Sequence, residues 1–99
     1  MYGVFLFPSD AQSQAREALE DDLVSRQSIS TRDAQALGTD LKGLLVVVEG
    51  EERAVGRFEE LAGDVARRLT GTEAERAYNL LKKEEAEAAE GVGFLFGGG

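Results

Sequence analysis

Few residues in this chain have side chains suited to catalysis. The 99 residues include no His and no Cys, so the commonest general base, the commonest metal ligand and the thiol nucleophile are all missing. Ser9 stands where a helix is predicted to begin, and a cap explains it better than a nucleophile because no His can activate it. The acidic run from Glu20 to Asp22 lacks the spacing of a calcium-binding loop. We therefore expect no catalytic residues, no metal site, no cofactor and no enzymatic activity.

The overall charge bears on the partners of the protein. Acidic residues number 19 and basic residues 11, for a formal net charge of −8, and such a chain repels nucleic-acid phosphates and anionic lipid surfaces. The longest apolar runs, such as Leu44 to Val48, are too short to span a bilayer, and no basic-then-apolar leader opens the chain. We predict a cytoplasmic protein that binds neither nucleic acid nor membrane. Abundant Glu and Arg with a single Asn, Asn79, favour a thermophilic source.

Apolar runs of strand length occur at three places in the chain. Tyr2–Phe7 is rich in aromatic residues, Leu44–Val48 is wholly aliphatic, and Val92–Phe96 is a last short run. A weaker strand is predicted between Gln27 and Thr31, where Ile29 is the only large apolar residue. Because the rest of that segment is polar, this strand is expected at an edge of the sheet.

Helical periodicity fills the segments between these strands. An i, i+4 apolar stripe indicates one helix from Ser9 to Arg26. Apolar residues recur at the helical period from Glu51 to Leu69. Glycine in a helix costs about 1 kcal/mol relative to alanine, so we expect Gly56 and Gly63 to serve close packing there. After a short break, another helix is predicted from Glu73 to about Glu90.

The predicted order is strand, helix, weak strand, strand, helix, helix, strand. It matches a ferredoxin-like βαββαβ pattern, an α+β two-layer sandwich whose second helix is split in two. In that arrangement the first and third strands are central, and the second and fourth lie at the edges. The alternative is a three-layer α/β/α sandwich with helices on both sheet faces. We expect residues 1–96 to form a single domain and residues 97–99 a flexible glycine tail.

The two clearest predicted strands are apolar on both faces. Alternation along Tyr2–Phe7 and Leu44–Val48 leaves no polar face, whereas strands with one wet face alternate apolar and polar residues. Something must therefore cover the second face, either one of the extra helices or another subunit, and we expect a homodimer. If the first and last strands pair, four aromatic side chains meet and form part of an interface or of an apolar pocket. These are Phe5, Phe7, Phe94 and Phe96.

Two short segments resemble families that share this topology. Glu49–Phe58 resembles the strand-to-helix segment of acylphosphatases, but that family needs an Arg in the first strand–helix loop, which here is Phe7 to Asp10. Lys42–Val48 resembles the central-strand motif of RNA-recognition motifs, with Leu and Val in place of the aromatic residues that stack on bases. Neither activity is expected.

The leading functional hypothesis is a non-enzymatic protein–protein interaction or assembly module that self-associates through an apolar sheet face. The alternative is a small-molecule-binding regulatory domain whose apolar pocket is lined by the four phenylalanines. A third hypothesis is an enzyme of unrecognised type that relies on carboxylates alone.

Overall fold

Four strands and five α-helices make up the part of the chain that the structure describes. The computed structural model describes the backbone of residues 1–96 and the side chains of residues 1–88. The strands are β1 (Tyr2–Phe7), β2 (Ser28–Asp33), β3 (Leu44–Glu49) and β4 (Arg67–Leu69). After a 3-10 turn at Ser9–Ala11, the helices are α1 (Gln12–Leu19), α2 (Asp22–Ser25), α3 (Ala34–Leu37), α4 (Glu52–Ala62) and α5 (Gly71–Phe96). The predicted α+β class is confirmed.

The strands form one antiparallel sheet in the order β2-β3-β1-β4. β1 and β3 lie at its centre, in a register that places Phe5 opposite Val46. β2 pairs with β3 and lies at one edge, as its polar sequence predicted. β4 pairs with Val4, Phe5 and Leu6 of β1 at the other edge. The two apolar strands are therefore the central ones, where neighbouring strands and helices can bury them.

The fourth strand comes from a segment that the periodicity assigned to a helix. The helix predicted from Glu51 to Leu69 stops at the end of α4, where Gly63 follows with a φ of 57°, an angle that glycine adopts without strain. Arg67–Leu69 then extends and pairs with β1. The backbone groups along β1 need partners, and this requirement overrides the helical period. A Cβ on Gly56 would meet nothing within 4 Å, so close packing does not explain the glycine at that position. At Gly63 the positive φ, and not close packing, explains why glycine is present.

The long last helix, α5, corrects a further expectation. The helix predicted from Glu73 to about Glu90 is present, but it continues to Phe96 over 26 residues, a length of about 39 Å. Val92–Phe96, predicted as a strand, therefore lies at the end of a helix. The place beside β1 that this strand would fill is taken by β4, and a short apolar run is compatible with either conformation. The glycine tail predicted at 97–99 lies outside the described residues.

Helices lie against both faces of the sheet. On the first face, α1, α2 and α4 pack on alternate residues of the central strands, namely Phe5, Phe7, Val46 and Val48. On the second face, α3 and α5 cover Val4, Leu45, Val47 and Leu69. The arrangement therefore has the three layers of the alternative prediction. The expected split helix does not form, because its two parts are separated by β4 and lie on opposite faces of the sheet.

The second face is closed by small and aliphatic side chains of the chain itself. Ala74, Ala77 and Leu81 recur at helical spacing on α5 and are buried there, together with Ala34 and Leu37 of α3. Alanine at this spacing lets the helix approach the sheet closely. The double apolarity of β1 and β3 is thus explained without a second copy of the chain. Within residues 1–96, no helix combines the length and the apolar character needed to cross a membrane.

Candidate functional site

Two of the four aromatic residues singled out from the sequence, Phe5 and Phe7, have side chains that the structure describes. Phe5 and Phe7 are 1% and 0% exposed and pack edge-on against Phe58, with ring centroids 4.8 and 5.9 Å away. The side chains of Phe94 and Phe96 lie outside the described residues, and their backbone belongs to the end of α5. Phe5 and Phe7 therefore belong to the core of the first sheet face, where they stabilise the fold.

The acidic run at Glu20 to Asp22 has a structural explanation. Asp21 separates α1 from α2, so the single helix predicted there is two, and its carboxylate accepts hydrogen bonds from the amides of Leu23 and Val24. It also pairs with Arg57 of α4 at 3.2 Å. Partial burial acts to raise the pKa of Asp21, but the Val24 amide and Arg57 outweigh it and hold the pKa below its usual value. Across residues 1–88, no group of three or more His, Cys, Asp or Glu side chains is arranged to hold a metal ion.

A second polar cluster, not anticipated from the sequence, joins α5 to the end of β3. The Tyr78 hydroxyl donates to Glu49 Oε2 at 2.6 Å, and Lys82 Nζ lies 3.0 Å from Glu49 Oε1. Tyr2 stacks on Tyr78 with ring centroids 3.9 Å apart. Tyr78 and Lys82 are four residues apart on one helix, a spacing that places them side by side.

The electrostatics of this cluster favour a fixed contact over proton transfer. The hydrogen bonds from Tyr78 and Lys82 lower the pKa of Glu49. The bond to Glu49, reinforced by burial, raises the pKa of Tyr78, and the same carboxylate raises the pKa of Lys82. Each group is thereby held in the protonation state that it has at neutral pH. The cluster stabilises the position of α5 on the sheet.

Two surface grooves flank β4. One of about 470 Å³ lies beside Tyr2 and Arg68, and another of about 320 Å³ lies beside Lys42 and Arg67. Among residues 1–88, no phenylalanine lines either groove. Phe5 and Phe7, two of the residues predicted to line an apolar pocket, are buried in the core and lie in neither groove.

The free side of β2 presents backbone groups to the outside. The strand is six residues long and, within the described chain, has a strand neighbour on one side only. The amide of Ala34 donates to the carbonyl of Gly43 at 2.9 Å, continuing the β2–β3 ladder. In an antiparallel ladder every second residue bonds to the neighbouring strand, so Ser28, Ser30 and Arg32 share the inward direction of Ala34. The N–H and C=O groups of the alternate residues point away from β3. These are Ile29, Thr31 and Asp33.

Arg32 lies along this free side and links it to α5. Its Nη1 donates to the Thr31 carbonyl at 2.8 Å, and its Nε donates to Glu84 Oε1 at 2.6 Å. Ser30 Oγ makes a further contact with Glu85 at 3.3 Å. Arg32 and Glu84 are 52 positions apart, and no local signal in the sequence pairs them.

The opposite edge of the sheet offers much less backbone. β4 is only three residues long. Two of them are charged and paired, Arg67 with Glu73 and Arg68 with Glu59, each at 2.8 Å. Short, charged strands are the usual protection of a sheet edge against other chains. The β2 edge is twice as long, and we take it as the candidate functional site.

Comparisons with protein-family models, with curated proteins and with solved structures find no match. The function is therefore inferred from the geometry of the chain itself.

Proposed function

We propose that the protein is a non-enzymatic protein-interaction module that forms a homodimer through the β2 edge. Two copies of β2 pair antiparallel, and the sheets of the two copies become continuous. The observation that carries this proposal is the row of outward backbone groups at Ile29, Thr31 and Asp33. Strand addition to such an edge is a common mode of protein recognition, with main-chain hydrogen bonds supplying the affinity.

The sequence of β2 suits pairing with its own copy. A two-fold axis perpendicular to the sheet keeps each sheet face continuous, so residues on the same face must lie opposite each other. With the axis at Thr31, the two Thr31 residues face each other, Ser30 faces Arg32, and Ile29 faces Asp33. No like charges are directly opposed in this register, and threonine pairs are favourable across strands. The three outward residues of each copy would exchange about six backbone hydrogen bonds.

Self-association is thus proposed at the sheet edge and not at a sheet face. Both faces are occupied by helices of the chain itself, whereas Ser28, Thr31 and Asp33 of β2 are exposed. A contact made by one strand per copy buries little surface, so the dimer should be weak and concentration-dependent.

We further propose that the fold is a variant of the ferredoxin-like arrangement. The strand order and the central position of β1 and β3 support this assignment. In the variant, β4 takes the place of the fourth strand, and α5 is an added helix that covers the second face.

The dimer is tested by sedimentation velocity over a range of concentrations up to about 1 mM, where even a weak complex is populated. Thr31→Pro removes an outward N–H and leaves the β2–β3 ladder intact, since proline is tolerated at strand edges. The matched control, Thr31→Val, keeps the N–H. We expect the wild type and Thr31→Val to dimerise, and Thr31→Pro to stay monomeric with an unchanged circular dichroism spectrum. A wild-type chain that sediments as a monomer throughout, or a proline variant that dimerises as well as the valine variant, would contradict the proposal.

A further inference from the structure

We infer that Arg32 and Glu84 form a latch that keeps the β2 edge closed in the free chain and must open before a second copy pairs there. This inference rests on the proposed dimer and names the contact that regulates it. The latch residues are far apart in sequence, one on β2 and the other on α5, and both side chains are partly exposed.

The position of the Arg32 guanidinium is what closes the edge. Its Nη1 lies 2.8 Å from the Thr31 carbonyl oxygen, which points away from β3. A partner strand would lie about 4.8 Å from β2 and would direct an N–H at the same oxygen. A guanidinium bonded there stands in the gap that the partner backbone must enter. Arg32 therefore competes with the second copy for the central acceptor of the proposed register.

Glu84 is what holds Arg32 in this position. The guanidinium is planar and presents its donors in a fixed fork. Bonding Nε to Glu84 at 2.6 Å therefore also sets the direction of the Nη1 donor. Without the carboxylate, a long arginine side chain on the surface gains rotamer freedom and leaves the carbonyl more often. Loss of Glu84 should thus favour the open edge, although Glu84 itself would touch no residue of the second copy.

If charge repulsion between copies alone controlled dimerisation, the effect of Glu84→Gln would have a different cause. A charge-matched variant distinguishes the two explanations. Each copy has a net charge of −8, so removing any carboxylate lessens the repulsion between copies. Glu87 lies three residues further along α5, is exposed, and belongs to the same helix. Glu87→Gln therefore repeats the charge change of Glu84→Gln without touching the latch.

The test compares dimer dissociation constants for the wild type, Glu84→Gln and Glu87→Gln at one ionic strength, by sedimentation velocity. Two latches must open for each dimer. Each latch is an exposed ion pair with one added hydrogen bond, and such a contact contributes little free energy. We therefore expect Glu84→Gln to bind its own copy about fivefold more tightly than Glu87→Gln does. Arg32→Gln should also tighten the dimer even though it makes each copy more acidic. Its charge-matched control is Arg53→Gln, because Arg53 of α4 pairs with Glu51, the residue just before that helix.

Equal dissociation constants for Glu84→Gln and Glu87→Gln would overturn the latch while leaving the dimer in place. Failure of every variant to dimerise would overturn both the latch and the proposed function. A wild-type dimer that is tightened by Glu84→Gln more than by Glu87→Gln, and that is abolished when Thr31→Pro is added, would support both.

Discussion

Replacing Leu81 by alanine tests whether α5 closes the second face of the sheet in solution. The Leu81 side chain is 1% exposed and packs among residues of β1, β3, α3 and α5. Leucine-to-alanine changes at such sites remove the burial of the side chain and leave a cavity, at a cost of about 3 kcal/mol. For a domain of this size the midpoint of thermal unfolding should fall by about 12–24 °C.

The control for this experiment is the same substitution at a leucine that the fold leaves outside. Leu61 of α4 is 40% exposed, so its replacement by alanine should cost less than about 1 kcal/mol. Urea and thermal unfolding followed by circular dichroism give the free energy of unfolding for each variant. If the two variants lose the same stability, α5 does not lie on the sheet as described. The second face of the sheet would then be uncovered, and a dimer formed through that face would again be the favoured interpretation.

Two other predictions concern glycine and pH. Gly56→Ala should stabilise the protein by about 1 kcal/mol, because position 56 is inside α4 and the added methyl meets open space. Gly3→Ala should destabilise it by about 1–3 kcal/mol, since the new Cβ would lie 2.7 Å from a Val55 methyl; equal effects of the two changes in urea unfolding would refute this packing. Because the pKa of Glu49 is lowered, its contribution to stability is complete above its usual value of 4.5 and is lost as the pH falls through the lowered value. Thermal unfolding should therefore be measured at a series of pH values below 5 for Glu49→Gln and for an exposed control, Glu52→Gln. The stability of Glu49→Gln should fall less steeply with decreasing pH than that of the control. Parallel curves for the two variants would count against the ion pair.

The central strands could be predicted because their burial requires apolar residues, which are visible in the sequence. Tyr2–Phe7 and Leu44–Val48 are apolar over their whole length, and a strand with helices on both faces requires this composition. The polar residues around Ile29 predicted the edge strand for the converse reason. The first half of α5 followed from its apolar period, which the structure explains by the packing of Ala77 and Leu81 on the sheet.

The fourth strand could not be predicted, because its conformation depends on a distant partner. Arg67–Leu69 continues a helical period, and three residues are too few to show a strand pattern of their own. It is extended because β1 offers unpaired backbone groups beside it. The same pairing fills the place beside β1 that was expected for Val92–Phe96, so the predicted pairing of the first and last strands is wrong.

The candidate site was likewise decided by tertiary structure. Composition alone showed that the chain has no His and no Cys side chain, and the polar sequence around Ile29 predicted the edge strand. Both statements depend only on which residues are present. Which backbone groups of β2 point outward depends on its register with β3. The contact of Arg32 with Glu84 depends on α5 crossing beside β2. Local sequence records burial and propensity, whereas register and long-range contacts arise only when distant segments compete for the same hydrogen bonds.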